Sequence, residues 1–204
     1  DFVGYELHVR DFTVDPQLKI PNELRGTFRG FVSERPLGYL KELGVTHVQL
    51  LPVQNYFTVD ESDRSFKDGR DPRANYNWGY DPHNYFAPEG WLSSNPADPY
   101  ARIRELKELV QALHRARIGV VLDVVYNHVF DARIFETVAP GCYLRLDDEG
   151  QISGRTGAGP SVETRRRMVR KLVVDSARYF VEEYGVDGFR FDLMGFLDAA
   201  TMLA

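Results

Sequence analysis

The feature that most constrains the fold is a regular alternation of short apolar runs with longer amphipathic runs. The run at 119–125 is almost uninterrupted and rich in β-branched residues, which is typical of a strand buried on both faces of a parallel sheet. This alternation predicts βα repetition, and therefore a parallel sheet whose strands all end at one edge. The four runs of strand type are 5–9, 45–51, 119–125 and 186–192.

Three segments between these runs predict helices. Segment 36–44 indicates a short helix closed by Gly44, since glycine readily adopts the left-handed conformation that ends a helix. Asp98 followed by Pro99 predicts the N-cap and first residue of a second helix, which continues with apolar residues at helical spacing. Segment 169–184 has the same spacing and predicts a third helix.

Two architectures accommodate four βα units, and chain length bears on one of them. A doubly wound sheet and a barrel both fit the pattern, but a complete (β/α)₈ barrel takes about 250 residues. The 204 residues also include two long insertions, at 52–98 after the second strand and at 127–162 after the third. A TIM-type (β/α)₈ barrel would therefore contain residues 1–204 as its N-terminal half, a unit with open strand edges, and the doubly wound sheet stays open at this point.

The insertion at 52–98 is dense in aromatic residues and is expected to form an active-site loop. Insertions of this size are either functional loops or disordered linkers, and the aromatic content favours an ordered loop that makes contacts. The alternative is that any one of these rings packs into a second small hydrophobic core under the loop. The rings lie at Tyr76, Trp78, Tyr80, Tyr85, Phe86 and Trp91.

Composition excludes several classes of protein. A hydrophobic content of 43% with a net charge of −5 predicts a soluble globular protein and disfavours a nucleic-acid partner. The only cysteine, Cys142, cannot form an internal disulfide, and no apolar run is long enough for a membrane helix. The five histidines show no paired ligand spacing, so no zinc site is expected. Neither an extracellular nor a cytoplasmic location is indicated.

The last strand places two charged residues where a site is expected. Period-two alternation puts Arg190 and Asp192 on one face and two phenylalanines on the other. If the phenylalanines pack under the helices, Asp192 points into the barrel at the carboxyl end, where barrel enzymes keep their active sites. The neighbouring arginine favours a charged carboxylate, which a nucleophile requires. The alternative is a buried Arg–Asp pair that only organises the barrel.

The third strand adds polar residues at the same edge. Asp123 lies within an apolar run, where an unpaired carboxylate would be costly, and Arg190 on the adjacent strand is the expected partner. Asn127 and His128 follow at the end of this strand. We therefore expect these side chains to meet near Asp192.

Three motifs, in this order, resemble the α-amylase superfamily of glycoside hydrolases. They are YNWGYDP at 76–82, DVVYNH at 123–128 and GFRFDLMG at 188–195. The first resembles the signature of type I pullulanases in particular, whereas the second is shared across the superfamily. The opening YELHVRDF at 5–12 is similar to the first barrel strand of that group.

The resemblance implies catalytic roles for the matching residues. Asp192 matches the nucleophile of a retaining mechanism with a covalent glycosyl-enzyme intermediate. Arg190 matches the residue that orients it, and Asp123 matches the structural acid behind the arginine. No cofactor is required, although Asn127 lies near a calcium ion in some relatives, so a structural Ca²⁺ is the one metal that the resemblance implies.

The resemblance also implies a sugar-binding subsite next to the scissile bond. His128 matches the histidine that binds sugar hydroxyls, Tyr80 matches the aromatic platform beneath that sugar, and Asp81 is its neighbour at the same site. Trp78 is a further substrate-binding candidate. The implied partner is an α-glucan such as pullulan, limit dextrin or a maltooligosaccharide, bound by a monomer.

The expected reaction is hydrolysis of α-1,6-glucosidic linkages. Two departures from the family pattern bear on this reaction. The positions of the family's acid glutamate and of a later His-Asp pair fall beyond Ala204. Segment 157–161 also lacks the Gly-Asn-Asp/Glu pattern of related pullulanases. Asp187 and Asp198 are poor substitutes for the acid, so these residues alone are expected to be inactive.

Three other functions remain open. They are another α-glucan hydrolase or transferase of the superfamily, a glucan-binding homologue without turnover, and a nucleic-acid surface at 165–171. The apolar residues on the other face of that basic segment favour the solvated side of a surface helix.

Overall fold

The computed structural model describes residues 1–65 and 76–204. Within these ranges the strands are β1 (Gly4–Leu7), β2 (His47–Leu50), β3 (Gln54–Tyr56), β4 (Pro82–Pro88), β5 (Gly119–Val124) and β6 (Gly188–Phe191). The α-helices there are α1 (Val9–Thr13), α2 (Phe28–Phe31), α3 (Glu34–Leu43), α4 (Ala101–Arg115), α5 (Arg133–Glu136), α6 (Arg167–Tyr179) and α7 (Ala199–Met202).

Four of these strands form the parallel sheet that the alternation predicts. Their order is β1-β2-β5-β6, and each neighbouring pair is parallel and in continuous register. Val48, Val120, Leu122 and Val124 are fully buried in the sheet, and α4 packs against β5. The fold is therefore α/β with parallel strands whose carboxyl ends share one edge.

Several predicted boundaries move in the structure. Val9 begins α1 rather than ending β1, because the His8 ring caps that helix by accepting the Asp11 N–H. The prediction that Asp98 is the N-cap of α4 is wrong: Asp98 accepts the backbone N–H of Tyr100, and the helix begins at Ala101.

Glycines mark the C-terminal ends of two other helices. Gly44 ends α3 with a φ of 74°, as predicted. The third helix continues past α6 through a π-helical turn at Phe180–Tyr184 and stops at Gly185, which also has a φ of 74°. A positive φ is readily available only to glycine, which explains both end points.

The insertion at 52–98 contains a hairpin that the sequence analysis did not predict. Strands β3 and β4 pair antiparallel with two register shifts. Two of its aromatic rings, those of Tyr85 and Trp91, are buried in the hydrophobic core. This matches the alternative given above, in which a single ring packs into a core under the loop. The part of this insertion at 66–75 lies outside the described residues.

The insertion at 127–162 returns to its own start through short pairings. Three isolated bridges join His128 to Ser161, Leu144 to Val162 and Leu146 to Ile152.

Among the helices that the structure describes, none is both long enough and apolar enough to cross a membrane.

Candidate active site

Arg190 joins two carboxylates at the carboxyl end of the sheet. Its Nη1 lies 2.8 Å from Asp192 Oδ1 and 2.9 and 3.1 Å from the two Asp123 oxygens. The Asp192 backbone N–H donates to Val124 O at 2.9 Å, which extends the pairing of β5 and β6 by one residue. The expected contact between Arg190 and Asp123 is therefore present, and Asp192 shares the same guanidinium.

The two carboxylates differ in exposure. The Asp123 side chain is 0% exposed, whereas that of Asp192 is 14% exposed. Burial raises the pKa of Asp123, although hydrogen bonds from Tyr80 and Arg190 act in the opposite direction. Burial also tends to lower the pKa of Arg190, but its bonds to both carboxylates outweigh this and raise it above its ordinary value. Asp192 is therefore the carboxylate that a ligand can reach.

Asn127 contacts the other side of Asp192, the residue near which the sequence analysis expects it to lie. Its Nδ2 donates to Asp192 O at 2.9 Å and to Asp192 Oδ2 at 3.2 Å. Its Oδ1 faces His128 Nδ1 at 2.6 Å. The Asp192 carboxylate is thus contacted at Oδ1 by Arg190 and at Oδ2 by Asn127.

Asn127 is also the residue near which the resemblance implies a calcium ion. Both polar atoms of its side chain are already engaged by protein groups. Across 1–65 and 76–204, no group of three or more His, Cys, Asp or Glu residues is arranged to hold a metal ion.

The YNWGYDP segment lies against this edge through Tyr80. The Tyr80 hydroxyl donates to Asp123 Oδ2 at 2.7 Å, and its carbonyl oxygen lies 2.9 Å from His128 Nε2. Burial, followed by the hydrogen bond to Asp123, raises the pKa of the Tyr80 phenol, so it stays a donor. Burial lowers the pKa of His128 and raises that of Asp81. The segment is thus attached at two points, to Asp123 in β5 and to His128 in the segment that follows β5.

Trp78 is the accessible aromatic residue of this segment. Its side chain is 55% exposed, and its ring lies 6.2 Å from that of Tyr76 at an interplanar angle of 38°. An exposed aromatic ring offers an apolar face to solvent and to any ligand that binds there.

Tyr85 is a buried residue that contacts the backbone of His128, and the sequence analysis did not predict this contact. Its hydroxyl donates to His128 O at 2.9 Å, while its own carbonyl accepts from Ser176 Oγ at 2.6 Å and from Gln54 Nε2 at 2.9 Å. Tyr126 bonds to both Gln54 and Ser176. No local sequence signal predicts this buried network, because its members come from β3, β4, α6 and the segment after β5.

Asp187 and Asp198, which the sequence analysis considers poor substitutes for the acid, both have partners away from Asp192. Asp187 lies at the amino end of β6, where it contacts His114 Nε2 at 2.8 Å and accepts the Val120 N–H. Asp198 caps α7 and pairs with Arg170 at 3.0 Å. Neither faces the carboxyl edge as a free acid.

The structure thus places an accessible carboxylate, held by Arg190 and Asn127, at the carboxyl ends of parallel strands, the edge where barrel enzymes keep their active sites. The profile of the α-amylase family, described as alpha amylase, catalytic domain, matches residues 11–140. The chain therefore belongs to the α-amylase catalytic-domain family.

Three relatives illustrate the similarity. Pullulanase A of Streptococcus pneumoniae serotype 2 (strain D39) is 46% identical over 99% of this chain and 16% of its own length. Pullulanase of Bacillus subtilis (strain 168) is 44% identical over 100% and 28%. The crystal structure of a Paenibacillus barengoltzii pullulanase with maltohexaose and α-cyclodextrin matches with a TM-score of 0.90 and 44% identity, over 98% of this chain and 32% of that one. The chain thus spans less than a third of each.

Proposed function

We propose that the chain is the N-terminal half of a (β/α)₈ catalytic barrel in a debranching glycoside hydrolase, which cleaves α-1,6-glucosidic linkages in pullulan and branched α-glucans. The carrying observation is the Asp192 carboxylate, fixed at Oδ1 by Arg190 and at Oδ2 by Asn127 while still partly exposed. Membership of the α-amylase family and its pullulanase relatives support the proposal.

The half-barrel proposal is supported by the sheet. Four parallel strands follow one another in chain order across the sheet, as consecutive strands of a barrel do, and β1 and β6 are its outer strands within the described residues. Barrel closure would pair both outer strands and remove the edges. The barrel would include all of 1–204.

In the proposed mechanism Asp192 attacks the anomeric carbon of the bound sugar. The bond from the carboxylate oxygen to carbon forms as the glycosidic oxygen leaves with a proton, and water then hydrolyses the glycosyl-enzyme, which gives net retention. Arg190 and Asn127 hold the carboxylate in one orientation. The acid must lie about 5 Å from the nucleophile, and we propose that a residue outside these 204 supplies it.

The sugar would occupy the surface beside Asp192. Asp81 offers a polar group there, Tyr80 offers a ring fixed by its bond to Asp123, and Trp78 extends the apolar surface. His128 is buried with both ring nitrogens in contact with Asn127 and Tyr80, so in this structure it supports the surface rather than offering a free polar group. The Paenibacillus barengoltzii pullulanase has been crystallised with maltohexaose, which supports a maltooligosaccharide as the ligand here. We further propose a monomer that needs no organic cofactor and binds neither nucleic acid nor membrane.

The proposal is tested by Asp192→Asn in the full-length protein. The amide keeps the shape of the side chain but is a poor nucleophile, so we expect pullulan hydrolysis to fall by about 10⁴-fold with an unchanged circular dichroism spectrum. Asp175→Asn, which removes an exposed carboxylate on α6, is the matched control and should retain activity. Retention of most activity by Asp192→Asn would exclude it as the nucleophile.

Product analysis separates the alternatives. Release of maltotriose from pullulan indicates cleavage of branch linkages, whereas panose or isopanose indicates another α-glucan hydrolase or transferase of the family. Binding of maltooligosaccharides without any product would indicate a glucan-binding homologue.

A further inference from the structure

Three arginines line a cavity that the proposed reaction does not use. The cavity has a volume of about 370 Å³ and lies between the insertion after β5 and the segment that follows β6. Arg145, Arg155 and Arg165 come from the insertion or its end, and Phe196 and Asp198 come from the other side. These residues bring an excess of positive charge to one concave surface.

Two of the three guanidinium groups are held in place. Arg165 forms a two-pronged bond with Glu163, Nε to Oε1 at 2.7 Å and Nη2 to Oε2 at 2.5 Å. Arg145 Nε lies 3.5 Å from the same carboxylate, and its Nη2 lies 3.5 Å from Phe196 O. Glu163 is 7% exposed, and the bonds from Arg165 lower its pKa, so it remains a charged anchor.

The cavity has more hydrogen-bond donors on its arginines than nearby acceptors to receive them. Arg145 Nε is buried without a hydrogen-bond partner, although it is close enough to Glu163 for an ion pair. Within the part of the chain that the structure describes, Arg155 has no hydrogen-bond or ion-pair partner, and Asp198 is paired with Arg170 on α6. Two carboxylates therefore accompany the three guanidinium groups: Glu163, and Asp198, whose charge acts on Arg165 and is shared with Arg170.

We propose that this cavity binds a phosphoryl dianion, either a phosphate monoester carried by an α-glucan or free inorganic phosphate. Guanidinium groups present planar pairs of N–H donors that match phosphate oxygens, and a fixed pair needs little ordering when the ligand binds. Arg145 and Arg165 form the preorganised base, and Arg155 closes on the ligand from the exposed side. The glucan source rests on the proposed function, whereas the phosphate site does not.

The location links the ligand to the catalytic edge. Gly195, Phe196 and Leu197 line the cavity and follow Asp192 by three to five residues. A glucan that reaches Asp192 can therefore carry a phosphate ester on a neighbouring unit into the cavity. The ester would then raise the affinity for phosphorylated chains over unmodified ones.

The test is isothermal titration calorimetry on the full-length protein. The three probes are inorganic phosphate, a phosphorylated maltooligosaccharide and the same oligosaccharide after phosphatase treatment. We expect the phosphorylated sugar to bind more tightly than the treated one, with a difference that shrinks as salt rises. Arg155→Gln should weaken binding of the phosphorylated sugar about tenfold, since it removes a charged hydrogen-bond donor. Arg178→Gln, an exposed arginine on α6, is the matched control.

Each outcome decides the proposal. Tighter binding of the phosphorylated sugar than of inorganic phosphate supports the glucan ester, and equal affinity for the two supports free phosphate. If neither phosphate probe binds more tightly than the treated sugar, or if Arg155→Gln changes nothing, the site is excluded. Pullulan hydrolysis measured on the same preparations reports separately on the proposed function.

Discussion

At the scale of single residues, exposure separates two carboxylates that share one guanidinium nitrogen. Asp123 is fully buried and accepts bonds from Tyr80 and Arg190, so it cannot reach a sugar. Asp192 is 14% exposed and receives one bond at each oxygen. The same arginine therefore anchors a structural carboxylate on one side and orients an accessible one on the other.

Tyr80→Phe tests this arrangement because it removes one hydroxyl and keeps the ring. Asp123 Oδ2 would lose its 2.7 Å donor inside the sheet, so we expect the free energy of unfolding to fall by about 1–3 kcal/mol in urea denaturation. Since the ring remains as a platform, KM for pullulan should rise less than in Tyr80→Ala. Tyr100→Phe, at a tyrosine that is 67% exposed, is the control. Equal stability of the two phenylalanine variants would contradict the role of the Asp123 contact.

The sequence predicts part of this site and misses the rest for a physical reason. Alternation within β6 and the cost of burying Asp123 predict its contact with Arg190, because both arguments are local to neighbouring strands. The contact between Asn127 and Asp192 depends on how the chain turns after β5. The contact between Tyr85 and His128 depends on the path of an entire insertion, which no spacing rule describes.

At the scale of elements, the hairpin of β3 and β4 shows where pattern reasoning fails. Strand β4 begins and ends with proline, and its pairing with β3 contains two register shifts, so neither run alternates cleanly. The parallel strand β5 is different, because it is largely buried and its near-continuous apolar run is visible in the sequence. The hairpin matters to function because the segment that carries Tyr80 lies between its strands.

Gly79→Ala tests how tightly this segment is held against the sheet. Gly79 has a φ of +86°, and a Cβ there would lie 2.8 Å from Pro52 Cβ and 2.9 Å from Pro52 O. Gly141→Ala is the matched control, since Gly141 has a φ of +68° with nothing within 4 Å. Both variants carry backbone strain, but only Gly79→Ala adds a clash with backbone.

We expect Gly79→Ala to lower the free energy of unfolding by about 1–3 kcal/mol more than Gly141→Ala in parallel urea titrations. It should also reduce activity, because Tyr80 is the next residue. Similar losses in the two variants would show that Pro52 yields and that the segment is not held tightly.

At the scale of the whole molecule, a buried carboxylate joins the two ends of the long insertion. Glu89 is fully buried and accepts the backbone N–H groups of Tyr56 and Trp91 at 3.0 and 2.8 Å. Asn55 Nδ2 also donates to it, at 3.0 Å. The two ends of the insertion that carries Trp78 and Tyr80 are therefore joined through a group that can titrate.

This attachment predicts a pH dependence of stability. Burial raises the pKa of Glu89 to about 7 from an ordinary value of 4.5. Between these values the folded protein holds a proton that the unfolded chain has lost, so stability falls as pH rises. The contribution is fully present below pH 4.5, is lost through pH 7, and is on the order of 3 kcal/mol.

Glu89→Gln removes the titrating group and isolates its effect. The variant loses one acceptor for its three donors, so it should be less stable than the unmodified protein at low pH. Its unfolding midpoint should nevertheless change less between pH 5 and pH 8, because no proton is released at this position. Thermal unfolding at matched pH values measures both effects, with Glu149→Gln, at an exposed loop carboxylate, as the control. Parallel pH profiles for Glu89→Gln and the unmodified protein would show that Glu89 is ionised throughout and that other groups carry the pH dependence.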